Sequence, residues 1–193
     1  MGALRIALVF NKQLRMNSAV LVIDVQRGLC EGQYAAFEAD RVIDRINTVV
    51  KKARGASVPV IFIQHDSPDG LLTAESEGWQ LASGLSYVDG DDYFVRKQAT
   101  DSFHQTDLNP LLVRLGITQL VICGLQSEFC VDTTTRRALA FGYPVVLVSD
   151  GHSTMDNTVL SARQISDHHT VTLANIESFG PRVLPLTADA IRF

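Results

Sequence analysis

QLVICGLQSEFCVDTTTRRALAFGYPVVLVS, Gln119 to Ser149, holds two apolar runs with a helical pattern between them. Gln119–Gly124 (QLVICG) and Pro144–Ser149 (PVVLVS) are short aliphatic runs, as expected of strands buried on both faces. Cys130–Phe141 between them reads as a helix, and Gly142 stops it. Strand, helix and strand in close succession imply a parallel pair with its crossover helix.

The same alternation extends outward in both directions. Ala19–Asp24 (AVLVID) and Pro59–Gln64 (PVIFIQ) read as buried strands, and Tyr93–Lys97 (YFVRK) as a shorter one. Between the first two, Val42, Ile43, Ile46, Val49, Val50 and Ala53 recur at helical spacing, and Gly55 ends the run. Leu108–Leu115 reads as a helix closed by Gly116. Asn157–His168 reads as another helix, and Thr170–Ala174 as the last strand. The expectation is an α/β protein: a three-layer, Rossmann-like fold with a mainly parallel six-stranded sheet and helices on both faces. No repeat, linker or low-complexity tract divides it, so residues 18–193 form one domain. Residues 1–17 read as an N-terminal extension, because Met16 stands just before the first convincing strand.

Composition narrows the function. The chain has 193 residues, 46% hydrophobic and 20% charged, with a formal net charge of −4. Its Lys and Arg are scattered, and the pairs Lys51–Lys52 and Arg136–Arg137 read as solvated helix faces. Phosphate binding needs clustered cations, so no nucleic-acid partner is expected. No run approaches the roughly 20 apolar residues of a membrane span, so no membrane association is expected either. The three cysteines are an odd number without a CxxC pair, which argues against a disulfide scaffold or a thiolate zinc site and for a reducing, cytoplasmic setting.

Ligands of parallel sheets bind outside the carboxyl ends of the strands. There the sequence puts Asp24, Gln64–His65, Lys97 and the loop from Gly124 to Cys130. Residues 65–92 form a long loop-rich stretch at the same end, where such segments are usually functional. Singly, Asp24 reads as a turn residue, Lys97 as a solvated cation and Cys130 as a small core hydrophobe. Together they supply a base, a cation and a thiol on neighbouring strand ends, the parts of an activated nucleophile. Ser127 is placed to cap the helix that carries Cys130, whose first turn favours a thiolate. Glu128 and Asp132 oppose a second anion, and Lys97 is the cation that offsets them.

VLVIDVQ (Val20–Gln26), FVRKQATDSFHQTDL (Phe94–Leu108) and VICGLQSEFCVDTTTRRALAFGYPVVLVSDGHST (Val121–Thr154) resemble the cysteine hydrolases of the isochorismatase-like superfamily. The shared marks are an Asp closing the first strand, K-x-x-x-D-x-F followed by T-x-L, and a Gly-led loop ending in C-V-D-T-T. The Q-S-E-F-C approach is most similar to that of streptothricin hydrolase-like amidases. The resemblance implies that Cys130 is the nucleophile, Asp24 the proton acceptor and later donor, and Lys97 the cation that keeps Asp24 ionised and depresses the thiol pKa. It also implies a non-proline cis peptide between Leu125 and Gln126, with the amides of Gln126 and Cys130 forming the oxyanion hole. The implied partner is a small-molecule amide and the implied assembly a homodimer or higher homo-oligomer.

The match departs where nicotinamidases of the superfamily bind a metal. Gln64–Leu72 (QHDSPDGLL) has no second histidine, so neither a metal nor another cofactor is expected. Gln26, His65, Trp79, Glu128 and Phe129 are the candidate substrate contacts. His65 also reads as a hydrogen-bonded loop residue, Trp79 as a loop anchor and Glu128 as a first-turn acid. His152 reads as a turn residue. The function implied is a metal-independent amidohydrolase working through a Cys130 thioester. Competing readings are an isochorismatase- or nicotinamidase-type hydrolase, an idle family member that binds without turnover, and a redox thiol. The last is disfavoured because Cys123 lies inside a buried strand.

Overall fold

The computed structural model describes residues 17–193, so the proposed 1–17 extension lies, but for Asn17, outside the described residues. Six strands form one sheet: β1 (Ser18–Ile23), β2 (Val60–His65), β3 (Tyr93–Lys97), β4 (Gln119–Leu125), β5 (Val145–Ser153) and β6 (Val183–Leu186). Their spatial order is β3-β2-β1-β4-β5-β6, and every neighbouring pair is parallel. This is the doubly wound arrangement, with its switch point between β1 and β4.

Helix α1 (Arg27–Cys30) is a single turn, followed by α2 (Ala39–Gly55), α3 (Leu108–Arg114), α4 (Asp132–Ala140) and α5 (Ala162–Ala174). All six residues of β1 are buried, so the strand needs apolar side chains on both faces. Val20 and Val22 face one way and pack with Val42, Ile46, Val49 and Val50 of α2. Ala19, Leu21 and Ile23 face the other way, with Leu108 and Leu112 of α3 and Ala138 and Leu139 of α4. The helical spacing in residues 42–53 is thus the seam of one helical layer.

The C-terminal third departs from the sequence expectation. Thr170–Ala174 is not a strand but the last part of α5, and that helix begins at Ala162 rather than Asn157. Ser161 sets the start through a capping box, accepting from the Gln164 amide while the Gln164 side chain accepts from Ser161 N–H. The β-branched residues Thr170, Val171 and Thr172 suggest a strand, but α5 packs Ile165 and Leu173 inward and tertiary contact overrides propensity. The last strand is Val183–Leu186, pairing Val145 with Val183 and Val148 with Leu186.

Lys52 ties the final turn to α2. Its Nζ donates to the carbonyls of Ala188, Asp189 and Ile191 at 2.7, 3.0 and 3.2 Å. Lys52→Met is expected to cost about 1 kcal/mol, since these bonds compete with water. In a chain of this size that is a melting temperature lower by about 2–4 °C, measured by thermal unfolding. An unchanged midpoint would remove Lys52 from the account of the C-terminus.

Two local features shape the carboxyl end of the sheet. Gly124 has φ +121°, and a Cβ there would meet Ile23 O at 2.1 Å, so only glycine lets β4 lie this close to the end of β1. On the other side of β4, Ile122 faces Leu147 while Gly124 faces His152. The register shift carries extra β5 residues out of the ladder and returns the chain with His152 beside the β4 loop.

Candidate active site

Asp24, Lys97 and Cys130 converge at the carboxyl ends of β1, β3 and β4. Asp24 follows β1 with φ 51°, in the left-handed region that Asp tolerates better than most residues. Its N–H donates to Ile63 O at 2.8 Å, which fixes the turn against β2. The Leu125–Gln126 peptide is cis. Ser127–Val131 then makes one π-helical turn, and α4 continues from Asp132. Cys130 therefore sits in a π turn ahead of the α-helix, a widened turn of the sort often found at functional sites.

Lys97 is the hub. Its side chain is fully buried, and Nζ donates to Asp24 Oδ2 at 2.7 Å, Ala99 O at 3.0 Å and Cys130 Sγ at 3.2 Å. Nζ also lies 3.1 Å from His65 Nδ1. An ammonium has no acceptor, so Nδ1 must accept and the His65 proton sits on Nε2. Four acceptors share three N–H groups, which leaves the ammonium able to turn among them. Burial alone pulls Lys97 down, but the Asp24 carboxylate and the Cys130 sulfur outweigh it and hold Lys97 above the ordinary lysine value. Burial and then the Lys97 charge push His65 down, so it stays neutral.

The thiol does not behave as the first-turn argument suggests. Burial pushes Cys130 well above the ordinary thiol range, the Asp24 charge adds to this, and Lys97 opposes both without reversing them. The resting group is a thiol beside a carboxylate. The other Asp24 oxygen, Oδ1, is buried and has no hydrogen-bond partner among the described residues. A buried carboxylate oxygen with a vacant lone pair is equipped to take a proton.

The same atoms raise the question of a metal. An Asp24 oxygen, a His65 nitrogen and Cys130 Sγ lie within 4.8 Å of one another, near enough to share an ion. All three instead meet Lys97 Nζ at 2.7–3.2 Å, so the ammonium stands where a cation would be held. The donor set does not fit an added metal while Lys97 is charged.

These elements match a known family over most of their length. The Isochorismatase domain model matches residues 18–183. The chain belongs to the isochorismatase family. It is 40% identical over 151 residues to a streptothricin hydrolase of Streptomyces noursei, covering 77% of this chain and 53% of that protein. A second streptothricin hydrolase of the same organism is 38% identical over 156 residues, covering 80% and 60% respectively. The chain thus spans little more than half the length of these two curated relatives. A crystal structure of an isochorismatase family protein superposes with a TM-score of 0.81 at 35% identity, covering 90% of this chain and 99% of that one.

The other candidate residues of this isochorismatase-family chain are placed unequally. Gln26 is fully buried and spent on backbone: Nε2 donates to His65 O and Trp79 O, and Oε1 accepts from His65 N–H. It joins the long loop to β2 and has no group left for a substrate. Trp79 lies under Arg96, whose guanidinium is 4.3 Å from the ring centroid, and its carbonyl also accepts from Gln64. That is the loop-anchor reading. Glu128 Oε1 accepts from Thr154 Oγ1 at 2.8 Å, and Oε2 is buried without a partner. Phe129 is half exposed, and His65 stands beside Asp24 and Cys130. A cavity of about 460 Å³ opens beside β3, lined by residues that include Asp66, Lys97 and His104. The larger one, about 640 Å³, lies at the other end of the strands, near Asn17, Pro59 and Ile117. The larger cavity is lined by none of Asp24, His65, Lys97 and Cys130.

Ser127 does not cap a helix. It is fully buried and its hydroxyl meets His152 Nδ1 at 2.8 Å and Ser166 Oγ at 2.9 Å. Sequence reasoning missed this pairing, because nothing in SDGHST indicates the register shift that turns His152 inward. Burial, with the His169 charge added, pushes His152 down from the usual 6.5 to about 4. The fold therefore holds the imidazole neutral, while the unfolded chain binds a proton below about pH 6.5. Its contribution to stability is complete above that pH and is lost as pH falls toward about 4. The urea midpoint is expected to fall through this window, and less steeply in His152→Phe. Equal slopes in the two proteins would contradict the assignment.

Proposed function

We propose that the chain is a metal-independent cysteine amidohydrolase that cleaves a C–N bond, amide or lactam, of a small molecule through a thioester on Cys130. The observation that carries this reading is the single buried ammonium of Lys97 in contact with both a carboxylate and a thiol. A structural ion pair has no need of the thiol, and a packing cysteine has no need of the ion pair.

The chemistry follows from the contacts. As the substrate carbonyl arrives, the Cys130 S–H proton passes to Asp24 Oδ1 and the sulfur bonds to the carbonyl carbon. Lys97, charged throughout, turns its shared N–H toward the forming thiolate. The carbonyl oxygen becomes an oxyanion facing the amides of Gln126 and Cys130. The Gln126 N–H donates to no backbone acceptor among the described residues, which supports that role. Asp24 then gives its proton to the nitrogen as the C–N bond breaks, and an amine leaves. Water attacks the thioester and its proton goes to Asp24. The C–S bond breaks and the sulfur recovers the proton, leaving a carboxylic acid and the starting thiol.

His65 and Phe129 are the substrate contacts that this reading retains: His65 stands beside the Cys130 sulfur, and Phe129 is half exposed on the turn that carries it. A homodimer or higher oligomer and a cytoplasmic setting belong to the same proposal. Among the described residues, no helix is long and apolar enough to cross a membrane. The test is turnover of an amide panel that includes streptothricin, read by amine release, with Asp24→Asn in parallel. Asparagine keeps the shape of Asp24 and cannot take the proton. Turnover by the native chain that falls at least about 10³-fold in Asp24→Asn supports the reading. Turnover that survives the substitution would overturn the assignment of Asp24.

A further inference from the structure

Ser127 and His152 belong to a hydrogen-bonded chain whose direction is fixed at every link. Thr170 Oγ1 donates to Ser166 O at 2.9 Å, which uses its one proton. At 3.0 Å from His152 Nε2 the same oxygen must therefore accept, so Nε2 carries the imidazole proton. His152 is neutral, and Nδ1 is left as an acceptor. The Ser127 hydroxyl, 2.8 Å away, donates to it. Ser127 Oγ, with its proton committed, accepts from Ser166 Oγ at 2.9 Å. The chain runs from α5 through β5 to the turn that holds the nucleophile. Ser127 and His152 are 0% and 4% exposed, and the bond between them is buried.

Neither residue hydrogen-bonds to Lys97, Asp24 or Cys130 among the described residues. Ser127 directly follows Gln126 and stands three residues before Cys130, the two positions whose amides face the oxyanion in the proposed reaction. We propose that Ser127 and His152 are positioning residues for the oxyanion hole: the buried imidazole clamps the Ser127 hydroxyl and so fixes the aim of the Gln126 and Cys130 N–H groups. This rests on the amidohydrolase reading. The β5 register shift gains a purpose by it, since only the displaced ladder brings His152 opposite Gly124.

Two reactions at the same sulfur separate aim from nucleophilicity. Acylation by p-nitrophenyl acetate forms a C–S bond, breaks the C–O bond and releases p-nitrophenolate, while the thiol proton goes to Asp24. It passes through an oxyanion. Alkylation by iodoacetamide displaces iodide at a saturated carbon and forms no oxyanion. In Ser127→Ala and His152→Phe, acylation is expected to fall about 10- to 100-fold. Alkylation is expected to stay within about twofold, because Cys130, Lys97 and Asp24 are untouched. The double variant should fall no further than the worse single one, since both changes break one contact.

Acylation at the native rate in both variants would overturn the proposal. So would a parallel fall in both reactions, which marks residues that only keep the fold together. A native protein that alkylates at Cys130 but is not acylated there would overturn the amidohydrolase reading itself, and the positioning role with it.

Discussion

Replacing Lys97 by methionine is expected to destabilise the fold by about 3–5 kcal/mol and to abolish acyl transfer together. The ammonium is the only cation in contact with the Asp24 carboxylate among the described residues, and both side chains are at most 1% exposed. Without it a buried charge is left unpaired, and that is where the large cost of breaking a buried pair arises. Without the ammonium no cation offsets the negative charge that forms on the Cys130 sulfur beside Asp24, so acyl transfer is lost with it. A second substitution separates the two effects. Adding Asp24→Asn to Lys97→Met removes the orphaned charge and should recover most of the stability, while activity stays lost. Chemical denaturation gives the first quantity and amide turnover the second. A double variant no more stable than Lys97→Met would show that the cost comes from packing rather than from charge.

Cys130→Ser is the second large effect. The side chain keeps its size and its place above Lys97, and it is only 8% exposed in the native chain. A hydroxyl is far harder to ionise than a thiol, and the dry setting that already raises the thiol raises a hydroxyl too. Asp24 has only one carboxylate with which to take the proton. The turnover number is expected to fall on the order of 10⁴–10⁶-fold, the range seen when a nucleophile is removed from a working set. Stability should change by less than about 1 kcal/mol, because no charge is orphaned. A variant that retains a tenth of native turnover would mean that the sulfur is not the attacking atom.

Most of the sheet was legible because its strands are buried on both faces and read as unbroken aliphatic runs. Ala19–Asp24 and Gln119–Gly124 are of this kind: the observed β1 starts and ends one residue earlier, and β4 starts at the same residue and runs one further. The helical spacing from Val42 to Ala53 was equally plain, since α2 buries that one face. The C-terminal third was not. VLPL, Val183–Leu186, is too short and too interrupted by proline to stand out, and the β-branched run in α5 imitates a strand. The S-x-x-Q pattern at Ser161–Gln164 does mark the true helix start, and it is the signal to have weighted there.

In the site, the meeting of Asp24, Lys97 and Cys130 followed from their positions at strand ends, which topology brings to one edge. The partners of these residues did not. That Gln26 would be consumed by the backbone of His65 and Trp79 depends on how the long loop folds back, and loop paths leave no periodic trace. The thiol's raised pKa was hidden for a related reason. A helix start and a nearby lysine favour the thiolate, but the depth of burial decides the sum, and depth is a property of the assembled fold. His152 depended on a register shift in β5 that no side chain announces.

The central claim is that Cys130 carries the acyl group. The most direct measurement is an intact mass spectrum after rapid acid quench of the protein with an amide it turns over, beside Cys130→Ser. The account predicts a mass gain equal to the acyl fragment, removable by hydroxylamine and mapped to Cys130, and no gain in the variant. Steady turnover with no sulfur-bound intermediate at any quench time, and with Cys130→Ser equally active, would contradict it.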